Sequence, residues 1–296
     1  MKQLTVFACI FVLLFSLVYR PAHASADESG QTQLDVILAN TAQYCERLKS
    51  AAFHFTCEEA VSESSETRTF YKKYGEPGYG LQRTGQKNKY VNQYQLLKEE
   101  DKITEQRTPL MYNGKKITGT ASHMKTRITS FKSSLTPYYL FGREYREKYS
   151  YRIIGKEKVL KRSAYICRVD LKKAGGESVL FAVVWIDLDD YSIVKFRAFP
   201  ESIEGYRNLD KAGEHRVDDV RIEDDHYYGY KESGLRFPTR TEISLVYTHD
   251  YPGRNGEELD ISAGARVLKK VVTTFSYNKY QFFSVTVSSP EYLSFH

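Results

Sequence analysis

The chain reads as mainly β: a curved antiparallel meander of short strands, covered by one or two helices. Three observations predict this. Turn signals punctuate the sequence every eight to fifteen residues from residue 50 onward, with no alternating strand–helix rhythm. Aromatic usage is lopsided, with 24 Tyr and 16 Phe against one Trp, as expected of half-buried sheet faces where a ring packs and its hydroxyl stays wet. The most apolar stretch after the N-terminus, residues 179–187 (VLFAVVWID), is followed by Leu188-Asp189-Asp190 and a second β-rich run, residues 191–197. That is a hairpin pattern, and its first strand is apolar on both faces, so a cover is expected on each side.

The N-terminus carries an export pattern. Lys2 precedes an apolar core, Leu4 to Val18, and Ala22-His23-Ala24 offers small residues for cleavage. The core is shorter than the ~20 residues that span a bilayer, so residues 1–24 are expected to be a cleaved signal peptide rather than an anchor. Cys9 lies too early in the core for a lipoprotein acceptor. Removing residues 1–24 takes away Lys2 and Arg20 and lowers the net charge from +6 to +4. The excess is interspersed, without a basic tract in sequence, so nucleic-acid binding is not expected.

Residues 25–32 (SADESGQT) are polar and expected to be disordered. From Leu34 the period turns helical: Leu34, Ile37, Leu38, Thr41, Ala42, Cys45 and Leu48 share one face of a helix over about 33–50. A strand follows, with Phe53, Phe55 and Cys57 on one side. If the helix folds back on that strand, Cys45 and Cys57 meet, and an oxidising compartment favours a disulfide between them over two buried thiols. Strand-like runs then occupy 67–74, 89–98 and 103–111, with a turn at Asn113-Gly114. Residues 115–135 read as a loop leading to a short helix around 131–141, interrupted at Pro137. Strands are expected over 145–154, with a turn at 155–158, and over 164–171. After the Trp185 hairpin, 201–215 reads as a polar insertion. The runs 217–222, 227–231, 239–248 and 266–277 follow, with a Gly-rich polar stretch at 249–265. Residues 33–288 are expected to form a single domain and 289–296 a tail.

Searches for chemistry return little. There is no Gly-x-Ser-x-Gly elbow, His-Glu-x-x-His, Cys-x-x-Cys or phosphate-binding glycine loop. Asp218-Asp219 and Glu223-Asp224-Asp225-His226 form the densest set of potential metal ligands. Successive strand residues point to opposite faces, so a solvated edge is expected instead of a metal site. Cys167 sits among apolar neighbours and is expected to be buried and inert; none of His54, His123, His215, His226 or His249 is coupled to it in sequence. Asp187 is expected to bond local backbone at its turn. No catalytic residue, metal ligand or cofactor is assigned, and an enzyme is not expected. What remains is an apolar face whose candidate lining is Leu180, Ala182, Val184, Ile186, Val194 and Phe196. Sequence leaves open whether it is filled or hollow.

The order of elements resembles the LolA-like family of periplasmic lipoprotein-sorting carriers and its distant relatives. The residues carrying the likeness are the leader, the helix Leu34–Leu48 running into 53–57 (FHFTC), the paired runs 151–155 and 164–167, and Phe237-Pro238. The strongest is Val184-Trp185-Ile186-Asp187 followed by 193–196, a Trp-x-Asp at a hairpin turn. The resemblance implies an incomplete antiparallel β-barrel closed by helices, holding lipid or lipoprotein acyl chains in an apolar interior without covalent chemistry. The alternative is an envelope protein-interaction or sensing module with the same fold and a filled interior. Either way the expected location is the periplasm, the protein acting as a monomer.

Overall fold

A computed structural model describes residues 25–72, 79–100, 102–117, 134–172, 182–199, 217–251 and 265–283. The expected signal peptide (1–24), Leu180, the 201–215 stretch, most of 249–265 and the tail 289–296 lie outside the described residues. By packing, the chain divides into two units, Met1–Ala39 and Asn40–His296.

The described part of the first unit is the opening half of helix α1 (Ser25–Ala51). The helix begins eight residues before the expected start, so 25–32 is helical and not disordered. Within it the Gln31 amide donates to the Asp35 carboxylate one turn on, at 3.4 Å, a pairing that supports an exposed helical turn. Ile37 and Leu38 are buried, as the period requires.

The second unit holds the rest of α1 and a large antiparallel sheet. Strands β1 (Phe55–Lys72) and β2 (Tyr79–Glu99) run 18 and 21 residues. Both are longer than their apolar runs, because β1 is hydrogen-bonded on both sides and the ladder carries the backbone through the polar segment 62–66. β3 (Lys102–Tyr112) and the short β4 (Lys115–Lys116) are joined by Asn113 and Gly114. Both have positive φ, 46° and 81°, the requirement of a two-residue hairpin turn. In α2 (Thr136–Phe141), Pro137 lies in the first turn. It therefore opens the helix instead of interrupting it, since that N–H has no helical partner to lose.

β5 (Tyr149–Val159) continues through the turn expected at 155–158. A bulge between Ile153 and Gly155 absorbs the irregularity, and the chain reverses at Leu160–Lys161 before β6 (Arg162–Leu171). The hairpin β7 (Ala182–Asp187) and β8 (Ile193–Ala198) forms as expected, around residues 188–190. β9 (Val217–Tyr227) extends the run expected at 217–222 as far as the start of the one expected at 227–231. β10 (Tyr230–Glu232) and β11 (Leu235–Phe237) make a separate small hairpin turning at Ser233-Gly234. β12 (Arg240–Tyr251) and β13 (Ala265–Phe282) complete the sheet.

The strand order is β4-β3-β2-β1-β13-β12-β9-β8-β7-β6-β5. The sheet is not closed, and its edges, β4 and β5, are consecutive in the chain. The fold class is therefore the expected one: mainly β, an incomplete antiparallel barrel with helices.

Phe275 lies in mid-sheet on β13, opposite Val61 and Thr241, with no accessible surface. Phe275→Ala should cost about 3–5 kcal/mol by urea unfolding. Leu160→Ala, at a turn residue 45% exposed, should stay within about 0.5 kcal/mol.

Candidate functional site

The expected lining begins on the β7–β8 hairpin. Ala182 faces Ala198 and Val184 faces Phe196 across the pair, and Cys167 and Val169 continue the row on β6. Ala182, Val184 and Ile186 have no accessible surface and Phe196 has 1%. Val194 does not join them. The register slips between Trp185 and Ile186, so β8 carries an extra residue there, and a bulge turns Val194 toward the opposite face. It packs with Trp185 and Ala164, flanked by Val159, Ile166 and Val183. The hairpin is thus covered on both sides, as its two-faced apolarity demands. The Trp185 indole N–H donates to Glu157 at 2.7 Å, and the Lys195 ammonium lies 4.7 Å from the ring centroid.

Tyr44, Cys45 and Leu48 of α1 are buried. The Tyr44 hydroxyl both accepts from the Arg236 backbone N–H (3.2 Å) and donates to its carbonyl (3.3 Å). Farther along, Lys49 bonds the Tyr138 hydroxyl of α2, and the Arg143 N–H donates to Glu46 at 3.2 Å. α2 is fixed to β5 through the Tyr151 hydroxyl, which donates to the Leu140 carbonyl at 2.6 Å. Tyr44 and Tyr94 are buried outright with their hydroxyls bonded inside the protein. The tyrosine excess is therefore partly interior, beyond the wet-tipped packing expected of it.

The Cys45–Cys57 bridge expected from sequence is not formed. Cys45, Cys57 and Cys167 are all buried thiols. The two thiols have different neighbours. Cys45 lies among Tyr44, Tyr151 and Tyr228, whereas Cys57 lies beside Glu59 and bonds Tyr280. Burial pushes the thiols of Cys57 and Cys167 up to about 12, far from a nucleophile's range.

The same face turns polar across the sheet. The cluster 223–226, expected at a solvated edge, lies on an interior strand and divides by strand alternation. Asp225 faces away and takes two hydrogen bonds from Arg197, at 2.6 and 2.7 Å. Asp224 and His226 face the interior with no accessible surface, their Oδ1 and Nε2 atoms 2.8 Å apart. His226 Nδ1 is 3.1 Å from the Thr241 hydroxyl, and its ring packs 4.9 Å from Phe196. On the next strands Thr273 donates to Glu63 at 3.2 Å. Buried Glu59 takes hydrogen bonds from Asn92 (2.9 Å) and Arg107 (2.8 Å). Burial disfavours charge on Arg107, but Glu59 and Glu105 outweigh it and keep the guanidinium ionised. Among the described residues no group of three or more His, Cys, Asp and Glu is placed to hold a metal ion.

Asp187 does more than the expected local bond. It accepts from the Asp189 N–H at 2.9 Å, and also takes a two-pronged Arg162 guanidinium at 2.6 and 2.9 Å. The buried Arg236 reaches it at 3.4 Å, donates to Ser192 at 2.7 Å and lies 3.6 Å from Asp190. Lys231 closes the cluster on Asp190 at 2.9 Å. Burial raises both carboxyls, but their hydrogen bonds prevail: Asp187 is held below the usual range and Asp190 at about 2. Arg162 and Arg236 were invisible in sequence. The available signal was Asp187 at the end of an apolar strand, a charge that needs partners if buried.

Asp187→Ala should cost about 3 kcal/mol, because Arg236 stays buried with its closest carboxylate removed. Both carboxyls are depressed on folding, so their stabilisation is complete above the unfolded value near 3.8 and is lost as pH falls toward 2. The urea midpoint should hold down to about pH 4 and then drop, and Asp190→Asn should flatten part of that drop. For the cysteines, iodoacetamide at pH 8 should leave all three buried thiols unlabelled in the native protein. In urea it should label all three without a reductant; two protected until reduction would restore the bridge.

No family model and no curated protein matches this chain. The likeness to LolA-type proteins is found among solved structures. One is a LolA superfamily protein of Nitrosomonas europaea, 10% identical, with 84% of this chain and 94% of that one aligned at a TM-score of 0.32. Another is a putative outer membrane lipoprotein-sorting protein domain of Vibrio parahaemolyticus, at 10% identity, 86% and 95% coverage and a TM-score of 0.28. A third is the Pseudomonas aeruginosa MucA/MucB complex, at 10% identity, 83% and 99% coverage and a TM-score of 0.22. At such scores the function has to be argued from this chain's own residues.

Proposed function

We propose that this protein is an exported, non-catalytic binding module of the envelope, with a filled interior, that engages a protein partner through its surface. The observation that carries this reading is the state of the candidate lining. Ala182, Val184, Ile186 and Phe196 have essentially no exposed surface, which supports a core-like packing. The same face also buries Glu59, Glu63, Asp224 and His226, and an acyl chain laid against these groups could satisfy none of them. The export pattern of residues 1–24 supports a periplasmic location.

A second reading, a carrier of lipid or lipoprotein acyl groups, draws on the cover. Over the apolar end of the sheet the cover includes helices tied by a few polar contacts, notably Tyr44 to Arg236 and Lys49 to Tyr138. A helix held in this way can be displaced without breaking a β-ladder. The carrier would need that displacement to open a cavity.

One substitution separates the two. In a filled interior Ala182→Leu overpacks the hairpin and should cost about 1–3 kcal/mol by urea unfolding. The protein recovered from cells should then contain no stoichiometric lipid by mass spectrometry of an organic extract, and should leave the fluorescence of an acyl-chain dye unchanged. A neutral Ala182→Leu, with bound lipid in the wild type that is lost in the variant, would replace this reading with the carrier.

A further inference from the structure

On the face of β1 away from Glu59 and Glu63, strand register gathers cations that are scattered in sequence. Arg68 stands opposite Arg83 of β2, and Glu66 opposite Lys270 of β13. Phe70 stands opposite Arg266 on one side and Leu81 on the other. Lys87 and Lys89 extend the row, opposite Ser64 and Ser62. Among the described side chains of these three strands, the one carboxylate on this stretch is Glu66; on the flanking β12, Glu242 and Asp250 hold register positions opposite Thr274 and Arg266. Glu66 accepts from Arg68 at 2.6 Å. That bond, helped by Arg68, Arg83 and Lys270, holds its carboxyl below the ordinary range.

Arg83, Lys87, Lys89, Arg266 and Lys270 are exposed. Arginines directly opposite one another repel, and Glu66 alone offsets Arg68, Arg83 and Lys270, so the stretch keeps a positive excess that an anionic surface complements. At the same end Phe70 and Leu81, a cross-strand pair, are 38% and 45% exposed. Cations spread over a strand surface, with two adjacent apolar side chains, complement a layer of phosphate headgroups over acyl chains.

We infer that this outer face of β2, β1 and β13 docks on an anionic phospholipid membrane, with its cations on the headgroup phosphates and Phe70 and Leu81 entering the interface. The inference is independent of the filled-interior reading, since it concerns the opposite face of the sheet. A bilayer fits better than an acidic protein because the cations are spread over three neighbouring strands instead of converging on one point.

The test uses the exported protein as recovered from cells, floated with vesicles of phosphatidylcholine alone or with about 30% phosphatidylglycerol. The protein should float with the anionic vesicles at low ionic strength, and should be released by high salt. Neutral vesicles should retain little of it. Each cation is worth about five-fold in partitioning, so Arg83→Glu with Lys270→Glu should reduce it by at least about 25-fold. Lys87→Glu with Lys89→Glu is a second pair confined to β2, in case the first disturbs folding; an unchanged thermal transition certifies either. Leu81→Ser should weaken binding without altering its salt dependence. The inference is overturned by equal flotation on neutral vesicles, by flotation that survives charge reversal in a folded variant, or by capture of acidic proteins with no vesicle binding.

Discussion

The pairing of β1 with β13 is the constraint on which the sheet depends. Every other neighbouring pair in the large sheet joins strands that follow one another among its members, whereas this one joins the first strand to the last. It runs from Phe55 opposite Phe282 to Phe70 opposite Arg266, with one irregularity near Thr56. Without it the chain would form two separate meanders, each with an unpaired long edge. With it, the remaining edges are β4 and β5, and the chain between them carries the short helix α2. Loop closure over so long a separation is costly and comes late, so the register has to be held by side chains. Phe55, Phe237, Tyr280 and Phe282 supply that hold in one aromatic group at the start of β1, with ring centroids 5.0–6.0 Å apart.

Each face of this sheet is uneven along its width. Around β7 and β8 the interior face is apolar and buried. Toward β9, β12, β13 and β1 it carries Asp224 with His226, Glu63 with Thr273, and Glu59 with Asn92 and Arg107. Buried polar groups of this kind fix a single register, because a slip by one residue would strand each of them against an apolar neighbour or expose it. The Asp187 cluster acts similarly at the hairpin's end, tying β6, the β7–β8 turn and β11 together, with Tyr44 of α1 bonded to the same Arg236.

The strands were legible wherever composition alternated or a turn residue intervened: 103–111, the Asn113-Gly114 turn, the Trp185 hairpin, 239–248 and 266–277 all appear near their expected places. The failures share a cause. β1 passes through Ser62 to Glu66, and β5 through Gly155 to Lys158, because neighbouring strands supply hydrogen bonds that local sequence cannot signal. Ala182, Val184 and Ile186 share one buried face by strand alternation, and register brings Phe196 opposite Val184. Val194 departed because a bulge, invisible to periodicity, inserted one residue.

The sequence by itself determined the fold class, the helix-then-strand opening, the hairpin with its single Trp, and the absence of any local catalytic motif. These are properties of spacing along one chain, set by the two-residue period of strands and the 3.6-residue period of helices. Tertiary structure alone decided which charges meet. Arg162 and Arg236 reach Asp187, His226 lies beside Asp224 instead of facing solvent, and Arg68, Arg83, Arg266 and Lys270 share one face. Each grouping depends on strand order and register, and hydrogen bonding between distant strands fixes both.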